Sequence, residues 1–253
     1  MTTIGMIGFG NMGQAIYHRL EQAFGADSLY VVDHHTDKLP KQNSGTSLDV
    51  LEPAEVVIIG VKPQSYTELA VTLNGCLANK RVISIMTGIS LDQLSRTTGS
   101  KDIVRTMPNL PIKIGKGLTG WIGTQKGDWV IPILQALGQE VRVDTEDQLE
   151  CITATSGSGP AYFFYLCELL AQKAEAYGFS SEQSRRIAEA TFVGSAALLD
   201  SEDKSAEQWR QAVTSKGGTT NAAITSLQAN HFGEIFQEAI DKARLRAIEL
   251  KNS

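Results

Sequence analysis

The chain has 253 residues, 42% of them hydrophobic and 20% charged, and a net charge of −5 at pH 7. This length excludes a disulfide-stapled miniprotein and predicts one large domain or two modest ones. The acidic balance argues against nucleic-acid binding, and no apolar run reaches the length of a membrane span. Because the N-terminus also carries no basic leader, we expect a cytoplasmic protein. The scattered cysteines and histidines predict no metal site.

Short β-rich runs alternate with helical stretches over the first 145 residues. The runs lie at residues 3–7, 29–32, 56–59, 82–85 and 103–105, and two last strands are expected around a helix at 128–137. Near-continuous apolar strands between helices indicate a parallel sheet covered on both faces. We therefore predict an α/β fold with a Rossmann-type, doubly wound dinucleotide-binding domain at residues 1–145. Its first helix places Ile16, Leu20, Ala23 and Phe24 on the stripe that faces the sheet.

No strand pattern returns in residues 146–253, which predict an all-α domain for substrate binding and dimerisation. The expected helices span 146–155, 160–177, 181–200, 206–213, 219–229 and 232–250. Segments 161–166 and 187–199 are apolar nearly all round, and such helices are buried on every side. A domain of this size struggles to surround both, so we predict a homodimer, or a higher homo-oligomer, that exchanges helices. A compact monomeric bundle is the alternative.

A glycine pattern of the type G-x-G-x-x-G follows the first apolar run and opens the first helix. The first glycine allows a tight turn, the second admits a pyrophosphate, and the third lets helix and strand approach closely. The helix amides then face the phosphates. The predicted cofactor-binding residues here are Ile7, Gly8, Phe9, Gly10, Asn11, Met12 and Gly13.

Asp33 ends the second strand, where a carboxylate can hold an adenosine ribose. A carboxylate repels a 2′-phosphate and so favours NADH. However, His34, His35 and Lys38 follow immediately and offer donors to that phosphate, which favours NADPH. Asp33 and His34 are both predicted to bind the cofactor, and the choice between NADPH and NADH is left open.

Three further clusters follow predicted strands, at the edge of the sheet where ligands bind. Val61, Lys62 and Pro63 belong to the first cluster, residues 86–89 form the second, and Asn109 ends the third. We expect these clusters to line the cofactor cleft, with Asn109 hydrogen-bonded to the nicotinamide carboxamide or its ribose.

The helical half contains two polar motifs, at residues 155–160 and 214–221. The first is equally well explained as an interhelical turn or as a ligand contact. The second collects hydroxyls, backbone amides and the ammonium of Lys216 before a helix, which predicts a carboxylate site. No nucleophile elbow is present, and hydride transfer to an already protonated iminium fits the absence of a strong acid on the apolar helix.

These motifs resemble those of the pyrroline-5-carboxylate reductase family over nearly the whole chain. The most specific are Ser156-Gly157-Ser158-Gly159-Pro160 and Ser215-Lys216-Gly217-Gly218-Thr219-Thr220. The resemblance implies NAD(P)H-dependent reduction of 1-pyrroline-5-carboxylate to L-proline, the last step of proline biosynthesis, by an interlocked dimer.

The resemblance also assigns roles in the last motif. The backbone amides of Gly217, Gly218 and Thr219 would bind the substrate carboxylate, and the catalytic Thr220 hydroxyl would hydrogen-bond the ring nitrogen. Ser215 is also predicted to bind the substrate. Lys216 stands where the family has proline, Leu110 where it has threonine, and residues 86–87 where it has two alanines. The alternatives are reduction of another cyclic imino acid and a dinucleotide sensor without turnover.

Overall fold

The structure is a computed structural model that describes residues 2–125 and 127–252. The chain divides into two compact units. One runs to Pro160 and resumes at Lys242, and the other is Ala161–Asp241. The first unit thus contains the sheet and also the first helix that follows it. The domain division at residues 145 and 146 stays a prediction.

One eight-stranded sheet lies in the first unit, with the order β3-β2-β1-β4-β5-β6-β7-β8. The strands are β1 Ile4–Ile7, β2 Leu29–Val32, β3 Ser44–Gly45, β4 Val56–Ile59, β5 Arg81–Ser84, β6 Ile103–Pro108, β7 Gly117–Gly123 and β8 Gly138–Arg142. Every neighbouring pair is parallel except β6 and β7. Residues 109–116 between those two are too few for a helical crossover, so β7 returns antiparallel.

Helices cover both faces of this sheet, which confirms the predicted fold class. They are α1 Asn11–Phe24, α2 Tyr66–Leu73, α3 Leu91–Thr98, α4 Ile131–Gln135 and α5 Glu146–Ile152. Ile16 and Leu20 of α1 are buried in the hydrophobic cluster on one face, whereas Leu73 of α2 and Leu94 of α3 are buried in the cluster on the other. Each central strand is therefore buried from both sides, as its continuous apolar sequence requires.

The rest of the chain is helical, as predicted. The helices are α6 Gly159–Ala176, α7 Ser181–Ser201, α8 Ala206–Ala212, α9 Thr219–Ala229 and α10 Phe232–Asn252. Capping boxes fix where α7 and α8 begin, because Ser180 pairs with Gln183 and Ser205 with Gln208. Between α5 and α6 the chain forms a π-helical turn, Thr153–Gly157.

Large apolar side chains of α6 and α7 lie exposed on the single chain. Phe164 on α6 is 63% exposed and Val193 on α7 is 70% exposed. Along the part of the chain that the structure describes, no helix combines the length and apolar character that crossing a membrane requires. The exposed apolar side chains of α6 and α7 together mark an interaction surface.

Candidate functional site

The glycine loop, residues 8–13, joins β1 to α1. Its three glycines differ in how much room the surrounding backbone leaves for a side chain. Gly8 has a φ of +99°, and a Cβ there would lie 2.7 Å from the carbonyl oxygen of Gly60. A Cβ on Gly13 would lie 2.4 Å from the carbonyl oxygen of Gly8. A Cβ on Gly10 would meet nothing within 4 Å. The fold therefore needs Gly8 and Gly13, whereas Gly10 leaves open space at the helix start.

The start of α1 presents backbone amides without a side-chain cap. Gly10 is its N-cap residue, and no acidic residue lies in its first turn. In contrast, α3 and α5 begin with complete capping boxes, at Ser90 and Thr145. Free amides, the positive end of the helix dipole and the space at Gly10 together fit the pyrophosphate of a dinucleotide.

The Asp33 carboxylate holds the glycine loop from the end of β2. Its Oδ2 accepts the Phe9 backbone N–H at 2.5 Å, and its Oδ1 accepts the backbone N–H of His35 at 2.8 Å. Burial raises the pKa of this carboxyl, but the hydrogen bonds from His35 and Phe9 lower it by more in sum, so the pKa lies below its usual range. Asp33 is thus a charged group that orders the loop.

A cavity of about 200 Å³ lies beside the glycine loop, between the ends of β2 and β4. It brings together five of the predicted cofactor residues, namely Ile7, Gly8, Asp33, His34 and Val61. Leu48, Leu69 and Thr72 complete much of its wall. The lining also includes the carboxylates of Asp33 and Glu68, and this mixture of apolar and polar groups suits an adenosine, whose flat base is apolar and whose ribose offers hydroxyls.

The remaining predicted cofactor residues lie around the same edge of the sheet. Asn11 is exposed and Met12 half-buried in the first turn of α1. Lys62 is exposed after β4, and Pro63 opens the short turn Pro63–Ser65. Met86 is only 2% exposed and packs in the hydrophobic cluster, so its departure from the family pattern fills the core.

Asn109, directly after β6, has a defined orientation. Its Oδ1 accepts the Leu118 backbone N–H at 2.9 Å, and its Nδ2 donates to the Ser156 hydroxyl at 3.0 Å. Asn109 therefore connects the end of β6 to the π-helical turn. No local sequence pattern indicates this contact, because it joins positions 47 residues apart.

The second unit carries the motif before α9, which we call the GGTT loop, residues 215–220. Gly217 has a φ of +74°, and the Gly218 N–H donates to the carbonyl of Ser215 at 3.0 Å, closing a turn. Gly218 is the N-cap residue of α9, with no side-chain cap and no acidic residue in the first turn. Thr219 and Thr220 form that first turn, so their amides are available to a carboxylate.

The loop holds its groups at the surface of this unit. Ser215, Lys216, Gly217 and Thr219 are exposed, while Thr220 is half-buried. Among residues 2–125 and 127–252, no group of three metal-ligating side chains occurs. The first unit thus contains an uncapped helix start beside a cavity, and the second unit contains an uncapped helix start with exposed hydroxyls.

Two family models and several known proteins match this chain. A family model described as pyrroline-5-carboxylate reductase dimerisation matches residues 146–250, and one described as NADP oxidoreductase coenzyme F420-dependent matches residues 3–88. The chain is 33% identical to the pyrroline-5-carboxylate reductase of Haemophilus influenzae, over 98% of this chain and 97% of that one. It belongs to the pyrroline-5-carboxylate reductase family.

Solved structures agree with this assignment to the reductase family. The pyrroline-5-carboxylate reductase of Coxiella burnetii is 32% identical, with a TM-score of 0.90 over 100% of this chain and 99% of that one. The Plasmodium falciparum pyrroline carboxylate reductase with NADP bound is 25% identical, with a TM-score of 0.88 over 99% and 98% of the two chains. The family suggested by the sequence motifs is therefore confirmed.

Proposed function

We propose that this protein reduces 1-pyrroline-5-carboxylate to L-proline with NADPH or NADH, the last step of proline biosynthesis. The observation that carries the proposal is that both α1 and α9 begin at a glycine with no side-chain cap and no acidic first turn. One start fits a pyrophosphate and the other a carboxylate. Membership of the reductase family supports the pairing of these two sites.

The roles of the residues follow from their chemistry. A bound nicotinamide supplies the hydride. The uncapped amides at the start of α1 bind the pyrophosphate, and Asp33 and His34 contact the adenosine ribose. The amides of Gly217 and Thr219 bind the substrate carboxylate, while the Gly218 N–H, which donates to the Ser215 carbonyl, keeps the loop in the turn that presents them. The Thr220 hydroxyl hydrogen-bonds the ring nitrogen and so orients the imine for reduction.

We also propose a homodimer formed through the second unit. A groove of about 900 Å³ lies between α6 and α7, with Phe163, Phe164, Phe192 and Val193 in its walls. The dimerisation family model covers both helices, so a second copy of this chain is the occupant. The cytoplasmic location and the absence of a nucleic-acid partner stay predictions from the sequence.

An assay of reduced-nicotinamide absorbance tests the activity. Purified protein is mixed with racemic 1-pyrroline-5-carboxylate and either NADPH or NADH, and then with six-membered and linear acceptors. We expect consumption of reduced cofactor with the five-membered imine. Faster turnover of a six-membered imine would favour the alternative cyclic substrate, and no turnover with any acceptor would favour the sensor.

Substitution of Thr220 tests its assigned role. Thr220→Ala should lower kcat roughly 100-fold, the scale of misplacing a reacting group, because the hydroxyl that orients the ring nitrogen is removed. Thr220→Ser keeps the hydroxyl and should restore most of the rate. The midpoint of thermal unfolding should change little, since the Thr220 side chain is only half-buried and is not part of a hydrophobic core. An unaltered kcat in Thr220→Ala would remove this residue from the mechanism.

A further inference from the structure

The turn between α5 and α6 departs from regular helix geometry. In the segment Thr153–Gly157, the N–H of Ser158 donates to the carbonyl of Thr153 at 2.9 Å, a hydrogen bond across five residues. Such π-helical turns are found often at functional sites. The turn contains Ser156, the residue that Asn109 contacts.

The hydrogen bonds of Asn109 determine what the Ser156 hydroxyl can do. The Leu118 N–H requires an acceptor, so the amide oxygen of Asn109 faces Leu118 and its NH₂ group faces Ser156. The Ser156 oxygen is therefore an acceptor in this contact. Its own hydrogen has no acceptor within residues 2–125 and 127–252, although Ser156 is only half-exposed. The Ser156 O–H is thus available to donate a hydrogen bond to a ligand.

This donor lies at the end of the sheet that the nicotinamide half of a dinucleotide reaches. The glycine loop follows β1 and Asp33 follows β2, so the pyrophosphate and adenosine of a bound dinucleotide would occupy that side. Strands β4, β5 and β6 extend in the other direction from β1. Asn109 follows the carboxyl end of β6 and contacts Ser156, so both residues lie where the opposite end of the cofactor would be.

We infer that the Ser156 hydroxyl donates a hydrogen bond to the carboxamide oxygen of the bound nicotinamide, and that Asn109 is the positioning residue that orients it. The inference rests on the proposed function, since it requires a nicotinamide cofactor. The carboxamide oxygen is the acceptor that the nicotinamide itself offers, and a bond to it fixes which way the ring is turned. Asn109 then acts through Ser156, because its oxygen and one amide hydrogen are already engaged.

Binding measurements by titration calorimetry test this without turnover. The ligands are NADPH and 2′-phospho-ADP-ribose, which lacks the nicotinamide, together with the matching pair NADH and ADP-ribose. Ser156→Ala should weaken binding of the reduced cofactor roughly tenfold, as expected for one hydrogen bond, and leave the ADP-ribose compound unchanged. Thr155→Val is the matched control, because it removes a hydroxyl of the same turn that donates to the carbonyl of Cys151.

Asn109→Asp tests the orientation of the Ser156 hydroxyl without removing that hydroxyl. The aspartate keeps an acceptor for Leu118 but has no N–H, so the Ser156 hydroxyl turns to donate to it. Binding of the reduced cofactor should then fall as in Ser156→Ala, and the double variant should be no weaker than either single one. Thermal melts of all variants report whether the fold is retained.

Each outcome decides the inference. Equal weakening of the reduced cofactor and its ADP-ribose counterpart would place the hydroxyl on the ribose, and unchanged binding in Ser156→Ala would remove it from the site; either result overturns the inference. If the unaltered protein binds neither reduced cofactor, the proposed function itself fails. If the unaltered protein binds normally and only the variants contradict expectation, the inference alone fails.

Discussion

The Asp33 side chain stabilises the backbone around the glycine loop. Its carboxylate is 16% exposed and accepts backbone hydrogen bonds from Phe9 and His35. Its pKa is lowered in the folded protein, because burial raises it by less than these hydrogen bonds together lower it. The folded state therefore favours the charged form more than the unfolded chain does, in which the pKa is about 3.9.

The expected result is a pH-dependent loss of stability in Asp33→Asn. Since the folded pKa is depressed, the stabilisation is fully present above the unfolded pKa of about 3.9 and is lost as the pH falls through the folded pKa. Asp33→Asn should lower the free energy of unfolding by about 1 kcal/mol at neutral pH, and the difference should shrink in acid. Urea unfolding across this pH range measures it. Asp37→Asn, an exposed carboxylate in the same segment, is the control. A difference that does not vary with pH would contradict this account.

Residue types alone predicted Asp33 as a ribose ligand, but its hydrogen bond to Phe9 depends on three-dimensional structure. The same is true of Asn109, which was placed near the nicotinamide from its position after a strand. Its contact with Ser156 depends on where the π-helical turn lies against β6, and no local pattern encodes that distance. The site assignments themselves stay predictions until the variants are measured.

At the scale of the element formed by β1, the glycine loop and α1, two substitutions distinguish an effect on stability from an effect on cofactor affinity. A methyl group on Gly13 would lie 2.4 Å from the Gly8 oxygen, so Gly13→Ala should cost about 1–3 kcal/mol of stability. A methyl group on Gly10 meets no protein atom within 4 Å, and the φ of −69° there suits alanine. Gly10→Ala should therefore melt like the unaltered protein but bind NADPH at least about tenfold more weakly.

Thermal melts and NADPH titrations of both variants check this pair. Gly233→Ala is the control, because an added Cβ there also has no neighbour within 4 Å and the residue has no positive φ. It should change neither the melting temperature nor NADPH affinity by much. Unchanged NADPH affinity in Gly10→Ala would show that the open space at the start of α1 is not where the pyrophosphate binds.

Periodicity predicted the long elements well because each buries a continuous apolar face. The two-residue strand β3, Ser44–Gly45, was missed because it has no apolar run and pairs only at the edge of the sheet. The stripe on α1 was correct at Ile16 and Leu20 but wrong at Ala23, which is exposed. A small side chain near the end of a helix adds little burial, so the pattern is weak there.

At the scale of the whole molecule, the helical domain was predicted to be too short to bury both of its apolar helices within one chain. The predicted apolar helices are indeed present as α6 and α7, yet Phe164 and Val193 lie exposed on the single chain. The sequence predicts the helices because their composition is local. It does not predict the partner surface in detail, since that depends on two chains meeting in one register.

The proposed dimer predicts which substitutions produce monomers. Phe164→Glu on α6 and Val193→Glu on α7 place a charge in the groove, and burying an unpaired charge against a second chain costs several kcal/mol. Both variants should sediment and scatter light as monomers, and their thermal midpoints should no longer rise with protein concentration. Val71→Glu alters a residue that is 78% exposed on α2, outside the groove, and should leave the dimer intact. If the unaltered chain is a monomer at micromolar concentration, or if Val71→Glu disrupts assembly as strongly as Phe164→Glu, then α6 and α7 do not form the interface.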